Sequence, residues 1–184
     1  MSQETDQTRK VSRWFHRKTI KDIEIYGKVV LVRVDFNVPF RPRSLEISDA
    51  SRIRSALDTK RYLLNRHCKI GLCSHLGRPK GKIVVELRMS PVIERLSELL
   101  GMPVVAALDC VGPEVRKTIA SLKPCDVAML ENLRFHVEEE DNAEGFAMEL
   151  ASLAEVFVDD AFGVSHRAHA STEGVSRFLP SVAG

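Results

Sequence analysis

Apolar residues along the chain fall into short β-branched runs separated by stretches with helical spacing. The run KVVLVRV at 28–34 is nearly continuous, and comparable runs recur at 69–74, 104–108, 126–130 and 155–158. Runs this short and this uniformly apolar predict buried parallel strands. Between them, residues 91–100 place Val92, Ile93, Leu96, Leu99 and Leu100 on one stripe, with Ser90 expected as the cap, Pro91 opening the helix and Gly101 ending it. A second helix is expected from Asp49 through Ile53, Ala56, Leu57, Leu63 and Leu64. A third should follow Pro113, and a fourth should run over 142–154 through Phe146, Leu150 and Leu153. Strand and helix alternate throughout. The pattern predicts an α/β fold: a single domain with a doubly wound parallel sheet and helices on both faces, a Rossmann-like three-layer arrangement.

In such a sheet, ligands bind outside the carboxyl ends of the strands, so the segment after each strand is where chemistry is expected. Four of the five segments are polar. Asp35 and Asn37 follow the first strand, and Ser74, His75, Gly77 and Arg78 follow the second. Glu131, Asn132, Arg134 and His136 follow the fourth. Asp159 and Asp160 lead into His166, Arg167 and His169 after the fifth. Arg52 opens the helix that follows the first loop. Each arginine alone reads as a solvated charge or as an ion pair with Glu131, Asp159 or Asp160. Four motifs on one rim instead read as a concave, cationic pocket. Guanidinium forks match phosphate and carboxylate oxygens, and a shielded cluster of them calls for a small polyanion. Asp35 and Asn37 suit a hydroxyl on that ligand.

Composition narrows the classes without changing this picture. Of 184 residues, 44% are hydrophobic and 28% charged, which excludes a disordered or fibrous chain. Lys plus Arg is 27 against 25 acids, a net charge of +2, so no nucleic-acid or membrane partner is expected. A nucleic-acid role would rest only on the short basic run of Arg9, Lys10, Arg13, Arg17 and Lys18. No apolar stretch approaches the ~20 residues that cross a bilayer. The four cysteines form no C-x-x-C pair and lie in or beside apolar runs, as expected of a reduced, cytoplasmic protein. Residues 1–17 are read as a polar, then basic extension in which Trp14 and Phe15 could dock on a surface.

Other chemistries fare worse. His166 and His169 have zinc-like spacing, but no third ligand is evident and Arg167 between them repels a cation, so no metal is expected. GRPKGK at 77–82 lacks the phosphate-loop spacing, because Ile83 follows Lys82. Glu138, Glu139, Glu140 and Asp141 read as a solvated loop. Ser74 lacks the setting of a hydrolase nucleophile.

The motifs V-R-V-D-F-N-V-P, S-H-L-G-R-P-K-G, D-C-V-G-P-E-V, E-N-L-R-F-H and D-A-F-G-x-x-H-R-A-H-A-S-T-E-G together closely resemble the phosphoglycerate kinase family, over residues 18–184. KGKIVVELRMSPV resembles its bacterial form. The resemblance implies phosphoryl transfer between 1,3-bisphosphoglycerate and Mg-ADP in glycolysis. It makes Asp35 and Asn37 partners of the glycerate hydroxyl, and His75, Arg78, Arg134 and Arg167 the clamp on the distal phosphate. Arg52 would face the reacting carboxyl as the catalytic cation. His169 belongs to the same rim, and Arg33 would support it from behind.

The family's nucleotide half has no counterpart among these residues. The resemblance therefore implies the 3-phosphoglycerate-binding half, unable to turn over alone, with a separate nucleotide-binding half as a partner. No residue is assigned to nucleotide or metal. The alternatives are a non-catalytic anion-binding or protein-interaction module derived from that enzyme, or a truncated relic. Three departures stand out: Asp159 in place of Asn, Val164-Ser165 in place of Thr-Ala or Ala-Ala, and Asp58-Thr59-Lys60 in place of Pro-Thr-Ile. The segment 41–46 also lacks the family's acidic, glycine-rich turn. The changes at 41–46 and 58–60 are expected to loosen the helix that carries Arg52.

Overall fold

The five apolar runs all become strands, and they stack into one parallel sheet. The structure is a computed structural model that describes residues 18–161 and 168–184. The strands are β1 (Val29–Val34), β2 (Lys69–Cys73), β3 (Val104–Ala106), β4 (Val127–Met129), β5 (Val156–Asp160) and β6 (Ser181–Ala183). They run in the order β3-β4-β2-β1-β5-β6, and every neighbouring pair is parallel. β6 escaped the sequence reading because it carries one β-branched residue, Val182, and opens on exposed Ser181. It is fixed by register, Val158 opposite Val182, and by the Thr19–Ala183 bridge.

The helices are α1 (Ser51–Ser55), α2 (Leu57–Asn65), α3 (Ser90–Leu100), α4 (Pro113–Ala120), α5 (Val137–Glu140) and α6 (Glu144–Ala151). The single helix expected from Asp49 is broken at Ala56, whose N–H bonds to the carbonyls of Ile53 and Arg54. Ser90 is not a cap but the first residue of α3. Met89 holds the cap position without a side-chain bond, and its own N–H goes to Glu131 Oε1 at 2.9 Å. Gly101 does end that helix, at φ +69°, in the left-handed conformation that glycine adopts freely. The 41–46 segment, which lacks the family's acidic, glycine-rich turn, still closes as a turn through the Phe40–Ile47 bridge and an Arg41–Glu46 ion pair at 3.2 Å.

Alternation along β1 sorts two cores. Val30, Val32 and Val34 join Ile70, Leu72, Ile53 and Leu63 on one face. Leu31 and Phe157 join Ile119, Leu150 and Val175 on the other. Each such side chain contributes about 1.5 to 3 kcal/mol on burial, so β1 is the best anchored place from which to display a polar residue. The chain reverses direction across the sheet between β1 and β5. Asp35 and Asp160 flank that switch point, where an open α/β sheet forms its crevice.

Candidate functional site

The rim beyond the strand ends divides into an exposed part and a buried part. On the exposed side, Asp35 follows β1 and pairs through Oδ2 with Nη1 of Arg52 on α1. Asp35 is 14% exposed and Arg52 50%. Asp35 Oδ1 also accepts the Asn37 N–H at 3.4 Å. Between them, Phe36 turns inward and its N–H donates to Ser74 Oγ at 2.9 Å, which locks the β1 and β2 loops together. Arg78 is exposed and forms no ion pair among the described residues.

Asn37 and Arg134 meet at one glycine. Asn37 Oδ1 accepts the Gly77 N–H at 2.9 Å, and Arg134 Nη1 donates to the Gly77 carbonyl at 2.9 Å. Gly77 has φ +63°, and a Cβ there would lie 2.7 Å from Leu87 Cδ2, so no other residue fits without movement. Arg134 is nearly buried, and its Nε lies 3.2 Å from Glu140 Oε1. The residue expected to grip a phosphate thus also shapes the loop beside it.

The buried side is held by Asn132 and Glu131. Asn132 Oδ1 accepts the N–H groups of Leu76 and Arg134, both at 3.1 Å, while Nδ2 donates to the Leu76 and Leu87 carbonyls at 2.8 and 2.9 Å. Glu131 takes the backbone of Met89 and Asn132 with one oxygen and Arg88 with the other. It is therefore the structural ion-pair partner expected, but of Arg88 rather than of a rim arginine.

Behind the rim runs a chain of buried polar groups. Arg33 Nη2 donates to His75 Nδ1 at 3.0 Å, Arg33 Nε donates to Ser171 Oγ at 2.8 Å, and Ser171 Oγ donates to Glu139 Oε1 at 2.5 Å. His169 Nδ1 lies 3.8 Å from the same Glu139 oxygen. A guanidinium only donates, so His75 Nδ1 accepts and the ring proton of the neutral imidazole sits on Nε2. Arg33 is buried and lies behind the rim, bonded to His75 and Ser171. Glu139 corrects the solvated-loop reading of residues 138–141: α5 carries it into the core, fully buried, where it is linked to Arg33 through Ser171. No local signal could have found it, because a helical-phase reading turns Val137 inward and Val137 is exposed.

Two further clusters carry charge or ligand-type atoms. Lys60 on α2 is fully buried and pairs with Asp160 at the end of β5. Asp109, Cys110 and His136 bring a carboxylate, a thiol and an imidazole within 4.8 Å of one another. His136 Nε2 contacts Asp109 Oδ1 at 2.6 Å, and Cys110 Sγ donates to the Glu131 carbonyl at 3.0 Å. Burial pushes the Cys110 thiol well above its ordinary value, with the Asp109 charge adding to it, so the thiol keeps its proton and the cluster satisfies itself by hydrogen bonding.

Sequence reasoning named Arg52, Asp35, Asn37, His75, Arg78, Arg134, Arg167 and His169. The structure brings Asp35 and Arg52 together, joins Asn37 to Arg134 through Gly77, and links His75 to His169 through Arg33, Ser171 and Glu139. Arg167, His166, Trp14 and Phe15 lie outside the described residues. Among the described residues, no helix is long and apolar enough to cross a membrane.

Comparison with known proteins accounts for this arrangement. The phosphoglycerate kinase family model matches residues 20–184. A phosphoglycerate kinase of Moorella thermoacetica is 58% identical over 166 residues, covering 90% of this chain and 42% of the relative, and a chloroplastic one of Chlamydomonas reinhardtii is 51% identical over 172 residues, covering 91% and 37%. The crystal structure of phosphoglycerate kinase from Pyrococcus horikoshii superposes with a TM-score of 0.82 at 31% identity, over 91% of this chain and 42% of that one. The chain thus spans about two fifths of the length of the relatives it matches. Since the family model extends over the sheet, both cores and every described rim residue, this chain belongs to the phosphoglycerate kinase family.

Proposed function

We propose that the rim binds 3-phosphoglycerate, or the same end of 1,3-bisphosphoglycerate, as the acceptor side of a phosphoryl transfer. The observation that carries this reading is the Asp35–Arg52 pair at the switch point of the sheet, a half-exposed arginine held ready by a carboxylate that is itself mostly shielded. An anionic ligand exchanges partners with it. The ligand carboxylate takes over the guanidinium, and Asp35 is released to accept the ligand hydroxyl, with Asn37 beside it. His75, Arg78, Arg134 and Arg167 supply donors for the phosphate, with His169 on the same rim. Arg52 then stabilises charge on the phosphoryl group in flight, a role in which one arginine contributes about 10³ in rate.

Turnover needs Mg-ADP or Mg-ATP held in line and water excluded, and no residue described here is assigned to nucleotide or metal. A nucleotide-binding half, on the same polypeptide beyond these 184 residues or on a separate chain, completes the enzyme. The domain assignment is residues 18–184 for substrate binding and 1–17 as an extension. The working compartment is the cytoplasm, a reading supported by four free cysteines, three of them buried.

Calorimetric titration with 3-phosphoglycerate at low and moderate salt tests this. Saturable binding that weakens with salt and is lost in Arg52→Ala and Arg167→Ala is expected. A folded wild-type chain that gives no heat would sink the reading. Binding with no turnover in the presence of a relative's nucleotide half would instead favour a non-catalytic module.

A further inference from the structure

An aspartate at the mouth of an anion pocket is a liability, and Asp160 is one. It ends β5 directly beside Val34, one residue before Asp35. Both its oxygens are taken from α2: Thr59 Oγ1 donates to Oδ1 at 3.1 Å, and Lys60 Nζ donates to Oδ2 at 2.5 Å. The Lys60 side chain is fully buried and that of Asp160 only 9% exposed. Lys60 Nζ also lies 5.9 Å from the ring centroid of Phe36, the residue between Asp35 and Asn37.

A buried ion pair is a poor way to gain stability, because desolvating two charges costs about as much as their attraction returns. An apolar side chain from α2 against an uncharged β5 end would hold the core equally well. What this pair supplies is a compensated charge at one defined place. α2 continues from α1, which presents Arg52, across the single residue Ala56. The Lys60 anchor therefore sits on the same helical segment as the arginine of the site.

We infer that Lys60 is a positioning residue for the anion site: from inside the core it cancels the Asp160 carboxylate, which would otherwise repel the ligand, and ties the α1–α2 segment bearing Arg52 to the end of β5. The inference rests on the proposed 3-phosphoglycerate reading. Among the described residues, the charged and titratable groups facing the ammonium are Asp160 on β5 and the Cys73 thiol on β2. Burial pulls the Lys60 ammonium down to about 8, against which Asp160 holds it up. The compensation is thus complete at pH 7 and is lost as pH rises through 8.

The test is calorimetric titration with 3-phosphoglycerate from pH 7 to 9.5 on wild type, Lys60→Met and the charge-free pair Lys60→Met/Asp160→Asn, each checked by thermal melt. At pH 7, Lys60→Met should bind about tenfold more weakly, a typical coupling between linked sites. The double variant should return to within about twofold of wild type, since both halves of one interaction are gone. Wild-type affinity should fall above pH 8 while that of the double variant stays flat. If Lys60→Met does not fold, the two pH profiles decide alone. Identical profiles for wild type and double variant, or a folded Lys60→Met with wild-type affinity, overturn the inference and leave the function intact. A wild type that does not bind overturns both.

Discussion

Arg52 and Arg134 belong to the same rim, yet the fold uses them in opposite ways. Arg52 is half in water, so its remaining donors need no protein partner and a single carboxylate suffices to aim it. Arg134 is 4% exposed, and a guanidinium that far from water must find oxygens among its neighbours: the Gly77 carbonyl and Glu140. The same division separates the regions around them. The Asp35–Arg52 side is a half-exposed pair of charges. The Asn132–Arg134 side is a lattice of backbone bonds that fixes the shape of the loop at 76–88. The rim therefore has a half-exposed side and a buried one, and burial rather than residue type decides which arginine belongs to which.

The largest effect should come from breaking the buried side. Asn132→Ala strips partners from two buried N–H groups and two carbonyls, and unsatisfied buried groups cost about 1 to 3 kcal/mol each before water relieves some of them. A loss of about 3 to 4 kcal/mol is expected, a drop of roughly 10 °C in Tm for a chain of this size. A urea or thermal melt measures it. A loss under 1 kcal/mol would mean that water enters freely and that this side is no more closed than the other.

Alkaline pH probes the floor of that side without touching its face. Cys73 stands opposite Arg33 in the sheet register, and burial pushes its thiol up to about 12 from an ordinary 9. The unfolded chain gives up this proton from pH 9 while the folded one keeps it, so the stability it supplies is complete below pH 9 and is lost as pH climbs towards 12. Lys60 works the other way between about 8 and 10.5, its folded value lying below its unfolded one, so the comparison must be internal. Between pH 9 and 11, wild type should lose about 2 kcal/mol more than Cys73→Ala. Parallel losses would show that the thiol titrates in the folded state.

The sequence made the strands and the membership of the rim legible because both follow from local rules. Continuous β-branched runs mark a doubly covered sheet, and polar residues placed after such runs fall on one edge. Burial of charge was not legible. Glu139 sits among three other acids, and nothing in composition separates it from Glu138. Only the phase of α5 against α6 and the turn at Ala170–Gly174 carries it to Ser171. Lys60 read as a disturbance in a helix because its partner, Asp160, lies 100 residues away. Arg134 read as a ligand grip alone, because its second employment, shaping the loop, depends on where the Gly77 carbonyl points. Each miss is a long-range pairing that decides which charges are spent inside the protein and which are left for a ligand.

The smallest effect on stability, and the sharpest on the comparison, belongs to Arg52→Ala. The pair it breaks is half-exposed, and such pairs contribute about 1 kcal/mol or less. Asp35 keeps the Asn37 N–H as a partner. A melt should therefore barely move, while 3-phosphoglycerate affinity falls by more than about tenfold, the size of one lost charge-assisted bond. Arg134→Met gives the complementary result, because it empties a buried donor set at Gly77 and should lower Tm and affinity together. If Arg52→Ala instead melted early with affinity preserved, the exposed pair would be structural, and the exchange of Arg52 from Asp35 to the ligand would have no basis. Stability held and binding lost is the signature of a charge that the fold has left unspent.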